Sequence, residues 1–421
     1  MHARKLALAI IAAGVGTQAM AGGFALNEQS VSAGGTANAG RASNVLDASV
    51  VYNNPAAMVK LKQAQFTQAL AFIDAQTDIS GVTAPLGGTS DGDIVPHTFV
   101  PSGFFTSGDQ GGWAWGVAAY GSFGLKTNHE DSYAGRHLGD KSSVKVMTLQ
   151  PTVSYALNDK VRVGAGVTFN YLDAYLSKNV SSLPDISGGA PGTVLGTTEL
   201  EGDDYGYGYN LGIHADLTES TTAGLVYRSK VKYKIDDGSL TTSGTGVPMG
   251  GVLVGAAGKY DGKTALTTPE SVELSLSQRL TDATSVHAGA TWTRWSRLKD
   301  LVITTSHPLV PVTTETFEWK DAMGYAVGIT HAVSDKLELR AGLAYDNSPV
   351  TAEHMSPRLP SGDRRIFSVG AGYQLSPTQT IDFSYTNLNE EKVQVNQPAS
   401  AYVASFKNSA SIYGLQFTQK F

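Results

Sequence analysis

The chain has 421 residues, a formal net charge of −6 and no cysteine. The missing cysteine excludes structural disulfides, thiolate metal sites, cysteine nucleophiles and a lipid-modified N-terminal cysteine. No basic patch in the sequence indicates nucleic acid as a partner. The 47 Gly, 18 Tyr and 14 Phe residues suit a protein with many turns and with aromatic residues at membrane interfaces.

The first residues predict export. Arg4 and Lys5 form a charged region, residues 6–15 are apolar, and Ala19-Met20-Ala21 is a small-residue cleavage site. The apolar run is half of the roughly 20 residues that a membrane-spanning helix needs. We therefore expect a signal peptide over residues 1–21 and a mature chain that starts at Gly22.

The segment that follows, residues 22–62, has no strand alternation. It contains Gly34-Gly35, several alanines and Asn53-Asn54-Pro55, which predict a compact, turn-rich segment with one or two short helices. Two interpretations are open at this point. The segment is either a disordered periplasmic tail or a plug that folds inside a larger structure.

From about residue 64 onward, polar and apolar residues alternate with the period of two that is typical of strands. We predict fourteen strands: 64–73, 97–106, 112–124, 143–157, 161–177, 203–216, 221–233, 270–280, 285–296, 316–332, 337–345, 364–375, 380–388 and 406–421. Short polar connectors alternate with long loops rich in Gly, Ser, Thr and Asp. This rhythm is typical of an all-β, 14-stranded antiparallel transmembrane β-barrel in the bacterial outer membrane, with both termini in the periplasm.

A soluble β-sandwich would show similar alternation. The aromatic-rich apolar face, the connector rhythm and the chain end favour the barrel, because a closed barrel satisfies its backbone hydrogen bonds in lipid. The final strand ends in Phe421, which resembles the signal read by the barrel assembly machinery. Lipopolysaccharide and other outer-membrane lipids are the further expected partners.

Eight strands already enclose an interior that side chains can fill, so a fourteen-stranded barrel needs an additional occupant or is an open pore. We therefore favour the plug for residues 22–62 and assign the barrel to residues 63–421.

The chain resembles the outer-membrane long-chain fatty acid transporter (FadL) family from its mature start to its last strand. The fragments that carry the resemblance are 23–28, 54–56, 120–125, 133–135, 295–296, 319–322, 341–350, 359–360 and 363–364. The resemblance implies a barrel closed by an N-terminal hatch, which takes up hydrophobic molecules without an energy source. It also implies a ligand groove among the outer loops, here within 125–141 and 178–202, a pocket near the mature N-terminus, and a sideways exit where the third strand kinks.

The resemblance also assigns roles to individual residues. Phe24 and Leu26 would contact the ligand, and Lys178 would pair with a carboxylate head group. The kink would be formed by Gly121, Ser122, Phe123 and Gly124, and the plug motif by Asn53, Asn54 and Pro55. Glycine within a strand often marks a bend, which agrees with the proposed kink.

One position departs from the family pattern. Glu315 stands where the family has a second cavity cation, and an acid there would repel a fatty acid's head group. Lys320 is a candidate to compensate. We therefore predict fatty acids as the first cargo and neutral aromatic or alkane hydrocarbons as the second.

Other classes of protein fit less well. A general diffusion porin needs an open lumen, which residues 22–62 would obstruct. An outer-membrane hydrolase would have to assemble a triad across strands, because the histidines are scattered and none has metal-ligand spacing. We expect no enzyme activity, no catalytic residue, no metal site and no cofactor.

Overall fold

The computed structural model describes residues 23–181, 194–244, 247–249, 252–254, 257–307 and 312–421. The predicted signal peptide and Gly22 lie outside these residues, as does part of the loop range 178–202. Fourteen strands form the wall: β1 (Gln65–Thr83), β2 (Thr98–Thr106), β3 (Trp113–Asn128), β4 (Lys141–Ala156), β5 (Val161–Ser181), β6 (Val194–Asp216), β7 (Thr221–Arg228 and Val231–Thr242), β8 (Gly258–Thr268 and Ser271–Arg279), β9 (Thr284–Thr293), β10 (Ala322–Ala332), β11 (Leu337–Asp346), β12 (Arg364–Ser376), β13 (Gln379–Glu390) and β14 (Tyr402–Lys420).

The sheet closes on itself. Neighbouring strands pair antiparallel, and β1 pairs with β14 from Gln65↔Lys420 to Thr83↔Val403. Tight turns join the strands at the rim that carries both ends of the barrel, and long connections join them at the other rim. The predicted barrel and its number of strands, fourteen, are confirmed, and the sandwich alternative is excluded.

The wall separates two chemistries, as expected for a barrel in lipid. Along β14, Tyr413, Leu415 and Phe417 are exposed on the outer face, whereas Gln416 and Thr418 are buried in the lumen. Phe421 is also exposed, and its backbone N–H donates to the carbonyl of Ala64 at 2.9 Å.

The predicted tenth strand began too early. We expected it over 316–332, but it begins at Ala322, and residues Thr313–Thr316 instead pair with Asp300–Ile303 in a hairpin of the outer loops. Glu318 has a φ of +44°, which interrupts an extended chain. Alternation alone does not distinguish a wall strand from such a hairpin.

The seventh and eighth strands differ from the prediction in a related way. The predicted 221–233 is interrupted between Arg228 and Val231, and the strand then continues to Thr242. The stretch Gly258–Thr268, which we left in a loop, pairs with that continuation. Beyond the interruption the alternation continues, but its outward positions, such as Lys232 and Lys234, are charged instead of apolar.

Residues 23–62 lie inside the barrel and contain helix α1 (Val31–Gly34), helix α2 (Val50–Asn53) and a 3₁₀ helix (Pro55–Lys60). We call this segment the hatch. It packs on wall glycines: a Cβ added to Gly224 would lie 1.9 Å from the carbonyl oxygen of Ala42, and one added to Gly342 would lie 2.2 Å from the carbonyl carbon of Thr36. These glycines allow the hatch backbone to touch the wall.

Three further 3₁₀ turns lie in the outer loops, at Trp295–Arg297, Ala352–His354 and Pro398–Ser400. Small strands Val247–Met249 and Val252–Val254 pair with each other, and Val393–Gln397 pairs with the outer end of β14. None of the helices in the described residues has the length and apolar content needed to cross a membrane.

Candidate functional site

An apolar cavity lies beneath the outer loops, and we call it the outer cavity. Leucines from the wall and the loops are the commonest residues in its lining: Leu125, Leu172, Leu176, Leu200, Leu266, Leu298, Leu301 and Leu359. Phe24 and Trp319 line it towards the hatch, and His354, Arg358 and Glu315 add polar groups from the loops. Such a space holds an apolar chain and offers charge at a limited part of its surface.

The charged part of this lining is an ion pair. Arg358 donates from Nε to Oε1 of Glu315 at 3.1 Å, and both side chains are largely buried. Arg358 also donates from Nη1 to the carbonyl of Lys141 at 3.1 Å and to the hydroxyl of Ser142 at 3.0 Å. Lys178 lies within electrostatic range of both Glu315 and Arg358. Two cations and one acid therefore meet here.

At the bottom of the outer cavity, Phe24 forms an aromatic partition with three other rings. Its ring centroid lies 4.9 Å from that of Trp295, 6.0 Å from Trp319 and 5.8 Å from Phe123. Gly23 has a φ of +82°, and a Cβ at this position would lie 2.7 Å from the Trp295 ring. Glycine is therefore required at position 23, because it adopts a positive φ without strain and has no Cβ to clash with Trp295.

The first residues of the hatch run beside β3 as an additional short strand. Leu26 donates its N–H to the carbonyl of Ser122 at 3.1 Å, and Gly124 donates its N–H to the carbonyl of Phe24 at 2.8 Å. The side chain of Gln29 donates to the carbonyl of Gly121 at 2.8 Å. The hatch therefore satisfies backbone groups of β3 that would otherwise be unpaired.

Those backbone groups are available because β3 leaves its neighbour β2. The β2–β3 pairing runs from Thr106↔Gly116 only to Ser102↔Tyr120, although β2 continues along β1 to Thr98. On its other side, the register of β3 with β4 shifts between Gly121 and Phe123. The wall therefore has a gap between β2 and β3 above Tyr120, and residues 24–29 fill it from inside.

A second, larger cavity lies below the partition, and we call it the inner chamber. It is lined by hatch residues and by polar wall residues, among them Thr148, Asn170 and Thr291. Glu28 of the hatch also lines it and accepts from the backbone N–H of Asn27 at 2.8 Å. Burial raises the pKa of Glu28 to about 7, against the weaker opposing effects of the Asn27 N–H and of Arg364 and Arg41.

Buried ion pairs hold the hatch to the wall. Arg41 donates to both carboxylate oxygens of Glu273, at 3.0 and 2.9 Å, and Arg228 reaches Glu273 from the wall at 3.0 Å. Near the periplasmic rim, the half-buried Lys60 pairs with Asp216 at 2.9 Å. Removing one partner of a buried pair leaves an uncompensated charge, which costs about 3–5 kcal/mol.

The motif Asn53-Asn54-Pro55 anchors the end of the hatch. Asn54 donates from its amide nitrogen to the carbonyls of Ala42 and Ile213, at 2.7 and 2.9 Å, and its amide oxygen accepts from the N–H of Ala56. Pro55 begins the 3₁₀ helix, and the side chain of Asn53 donates to the hydroxyl of Ser49 at 3.1 Å. The motif thus joins two parts of the hatch to β6.

The residues we selected from the sequence fall into three places. Phe24, Glu315 and Lys178 lie at or near the outer cavity, and Leu26 with residues 121–124 lies at the gap. Lys320 is exposed and lines neither cavity. Its positive charge acts on the carboxylate of Asp363. Sequence reasoning missed Arg358, because a loop residue shows no alternation and its partner Glu315 lies 43 positions away.

The fold and this site define a class of protein: an outer-membrane β-barrel whose lumen is closed by its own N-terminal segment. Residues 12–421 match the model of the family described as outer membrane protein transport protein (OMPP1/FadL/TodX), and the chain belongs to this family. It is therefore a transport protein of the bacterial outer membrane.

Individual relatives agree with this assignment. The chain is 30% identical over 434 residues to the long-chain fatty acid transport protein of Salmonella typhi, covering 99% of this chain and 98% of that protein. It resembles the crystal structure of a Pseudomonas aeruginosa FadL homologue with a TM-score of 0.84 and 22% identity, over 95% of this chain and all of the other. The Pseudomonas putida toluene transporter TodX has a TM-score of 0.67 and 16% identity, over 97% of this chain and all of the other. The two structural likenesses support the fold.

Proposed function

We propose that this protein imports hydrophobic compounds across the outer membrane by passive diffusion, with long-chain fatty acids as its main cargo. The observation that carries the proposal is the outer cavity, an apolar space with charge at its loop end and the hatch at its base. The 30% identical relative over nearly the whole chain is a long-chain fatty acid transport protein.

The outer cavity suits capture of an acyl chain. Burying each methylene group contributes about 0.8 kcal/mol, so a long chain is held strongly by leucine side chains alone. At the loop end, Arg358 and Lys178 outnumber Glu315 and leave a net positive charge for a carboxylate. Arg358 presents a planar guanidinium that suits a carboxylate, whereas Lys178 would act as a point charge.

Release would be sideways into the bilayer. The gap above Tyr120 lies beside Phe99, which is exposed on the lipid-facing side of β2. An apolar molecule that leaves here enters hydrocarbon and avoids the water of the periplasm. Phe24 and Leu26 stand between the outer cavity and the gap, so we assign them the roles of ligand contact and gate, with Gly121, Ser122, Phe123 and Gly124 as the kink.

A second cargo class follows from the same ion pair. Because Glu315 neutralises Arg358, the loop end of the outer cavity is less positive than two free cations would be. This favours neutral aromatic or alkane hydrocarbons as the alternative cargo, and the structurally similar TodX is a toluene transporter.

Neither a general diffusion porin nor a hydrolase agrees with the side chains found in the lumen. The inward charges that would line a porin are paired and buried under the hatch: Arg162 with Asp216 at 2.8 Å, and Arg340 with Asp382 at 2.6 Å. A hydrolase would need an accessible triad. Ser277 and His287 do form a hydrogen bond of 2.8 Å, but they lie under the hatch, and the other ring nitrogen meets Thr330 at 3.2 Å instead of a carboxylate.

Export and assembly complete the proposal. Residues 1–21 would act as a cleaved signal peptide, residues 22–62 as the hatch and residues 63–421 as the barrel. The exposed Phe421 at the end of β14 would be read by the barrel assembly machinery.

The proposal is tested by uptake of radiolabelled oleate and toluene into cells that lack other barrels of this family. Wild-type protein should restore oleate uptake, and Phe24→Ala should lower it because the aromatic partition opens and one ligand contact is lost. Phe66→Ala, on the lipid-facing surface of β1, is the matched control and should transport normally. Uptake of toluene alone would move the assignment to the hydrocarbon class, and uptake of neither would refute the proposal.

A further inference from the structure

A group of cations lies on the outer surface of the barrel, away from both cavities. Lys230 and Lys232 come from the middle of β7, and Arg294, Arg297 and Lys299 come from the segment after β9. Together with Thr267 and Ser296 they line one shallow depression. We call these five cations the basic rim patch.

The basic rim patch is only partly neutralised. Glu270 accepts from Arg294 at 3.3 Å and pairs closely with Arg297. Within the part of the chain that the structure describes, no carboxylate lies at ion-pair distance from Lys230, Lys232 or Lys299. Asp321 accepts from the backbone N–H of Ser296 at 3.1 Å and also lies near Arg297, so five cations face two acids and the patch keeps an excess of positive charge.

The height of the patch on the barrel is given by β7. This strand leaves the periplasmic turn at residue 220, presents Leu225 to lipid and then Tyr227, whose ring lies 5.8 Å from that of Tyr209. Tyrosines at this level mark the interface between hydrocarbon and head groups. Lys230 lies three residues beyond Tyr227 in the direction of the outer loops. Arg297 lies close enough to Tyr227 for its charge to act on the phenol group. The patch thus lies at the level of the lipid head groups of the outer leaflet.

We propose that the basic rim patch binds the phosphate groups of lipopolysaccharide, the phosphorylated lipid of the outer leaflet. Guanidinium groups bind phosphate through paired charged hydrogen bonds, and Lys adds point charges. The hydroxyl groups of Ser296 and Thr267 supply further donors. Inorganic phosphate offers the same chemistry, but only a membrane lipid presents it beside a tyrosine girdle. This inference does not rest on the proposed cargo.

The test compares two triple variants of the full-length protein in detergent micelles. Lys232→Gln/Arg294→Gln/Lys299→Gln removes charge from the patch. The matched control Lys160→Gln/Arg279→Gln/Lys336→Gln removes the same charge from the exposed turns of the periplasmic rim. The probes are bisphosphorylated lipid A, the same lipid after removal of both phosphates, and inorganic phosphate, and binding is measured by microscale thermophoresis. Heat-dependent gel migration verifies that each barrel is folded.

Wild-type protein and the control should prefer the phosphorylated lipid, and the patch variant should bind it roughly tenfold to a hundredfold more weakly, since each cation near a membrane surface contributes to anionic lipid binding. Lys299→Gln alone should show a smaller loss in the same direction. Equal binding by wild type and patch variant, or an equal loss in the control, would overturn the proposal. Binding of inorganic phosphate as tight as that of the lipid would overturn the assignment to a lipid.

Discussion

Arg358 and Glu315 form an ion pair, with 3.1 Å between Nε and Oε1, at the loop end of the outer cavity. The pair joins the connection after β11 to the hairpin between β9 and β10. It also changes how Glu315 is interpreted, because an acid that would repel a fatty acid on its own is matched here by a guanidinium group. Selectivity for the cargo should therefore depend on both residues.

We expect Arg358→Gln to weaken oleate binding about tenfold to a hundredfold, because a hydrogen bond to a charged group contributes about 1.5–3 kcal/mol. Glu315→Gln should strengthen oleate binding, since Arg358 is then free for the ligand. Toluene binding should change little in either variant. Isothermal titration calorimetry measures all three effects.

The double variant Glu315→Gln/Arg358→Gln controls for loss of the ion pair itself, since it removes both charges of the pair and leaves Lys178 as the remaining cation. It should bind oleate more weakly than wild type but more tightly than Arg358→Gln, because no unpaired Glu315 then repels the carboxylate. If both single variants bind oleate like wild type, the head group does not reach this pair.

The fit of the hatch to the wall gives a prediction about conductance. Gly224→Val should displace the hatch, because even a Cβ there would lie 1.9 Å from the carbonyl oxygen of Ala42. The lumen would then pass ions, and planar bilayer recordings should show steady currents that wild-type protein lacks. Gly103→Val is the matched control, since nothing lies within 4 Å of a Cβ at this position. Similar currents from both variants would contradict this account of the hatch.

The carboxyl group of Glu28 should make docking of the hatch start pH-dependent. Its pKa is raised by burial to about 7 from an ordinary value of 4.5, so the folded state binds the proton more tightly than the unfolded state. The stability that this carboxyl group contributes to the docked hatch start is therefore greatest at low pH and falls as the pH rises from about 4.5 to 7, by an amount on the order of 3 kcal/mol.

Hydrogen exchange of residues 23–30, corrected for the intrinsic rate, should be faster at pH 8 than at pH 5.5. Glu28→Gln stays neutral at both values and should remove the difference. A wild-type segment that exchanges equally at both pH values would refute a role for this carboxyl group.

The outer loops should respond to pH in the opposite direction through His129. Its ring stacks on Tyr133 with centroids 3.8 Å apart, and its Nε2 lies 3.1 Å from the carbonyl oxygen of Pro357. Burial lowers the pKa of His129 to about 4 from 6.5. The unfolded state therefore binds more protons between these values, and loop stability is lost as the pH falls below about 6.5.

A spin label measures this effect cleanly, because the chain has no cysteine of its own. A label on Asp131→Cys, an exposed position in the same loop, should become more mobile at pH 4.5 than at pH 7.5. Adding His129→Gln should make its mobility the same at both pH values. A label with unchanged mobility in the otherwise wild-type chain would contradict the prediction.

The sequence predicted the membrane-spanning part of the fold well, because lipid on one side and lumen on the other impose strict alternation. Leu415 and Gln416 illustrate this pattern, with adjacent residues on opposite faces. The part of β7 beyond residue 233 and the outer part of β8 were missed because their exposed positions carry mainly charged or polar residues. Residues 316–321 were wrongly joined to β10, because the alternation of Phe317 and Trp319 with polar residues resembles that of a wall strand.

The site was predictable to a smaller extent. The opening Phe24 and the glycine-rich stretch 121–124 stood out in the sequence, and both lie where the hatch meets the kinked strand. Arg358 did not stand out, because its partner Glu315 is far away along the chain, and Trp295 was noted as part of the resemblance without a role at the site. Lys320 was selected as a cation to compensate for Glu315, but it lies exposed at the surface.

The most direct test of the account concerns the gap between β2 and β3 and the hatch segment that fills it. A Cβ at Gly121 would lie 3.1 Å from Cδ1 of Leu26, so these two positions are in contact. Oxidising Leu26→Cys/Gly121→Cys should tie the hatch start to the kinked strand. We predict that the oxidised variant still binds oleate but does not import it, and that dithiothreitol restores import, while Leu26→Cys alone imports oleate under both conditions. Import by the oxidised variant at the rate of the reduced one would show that cargo does not leave through this gap.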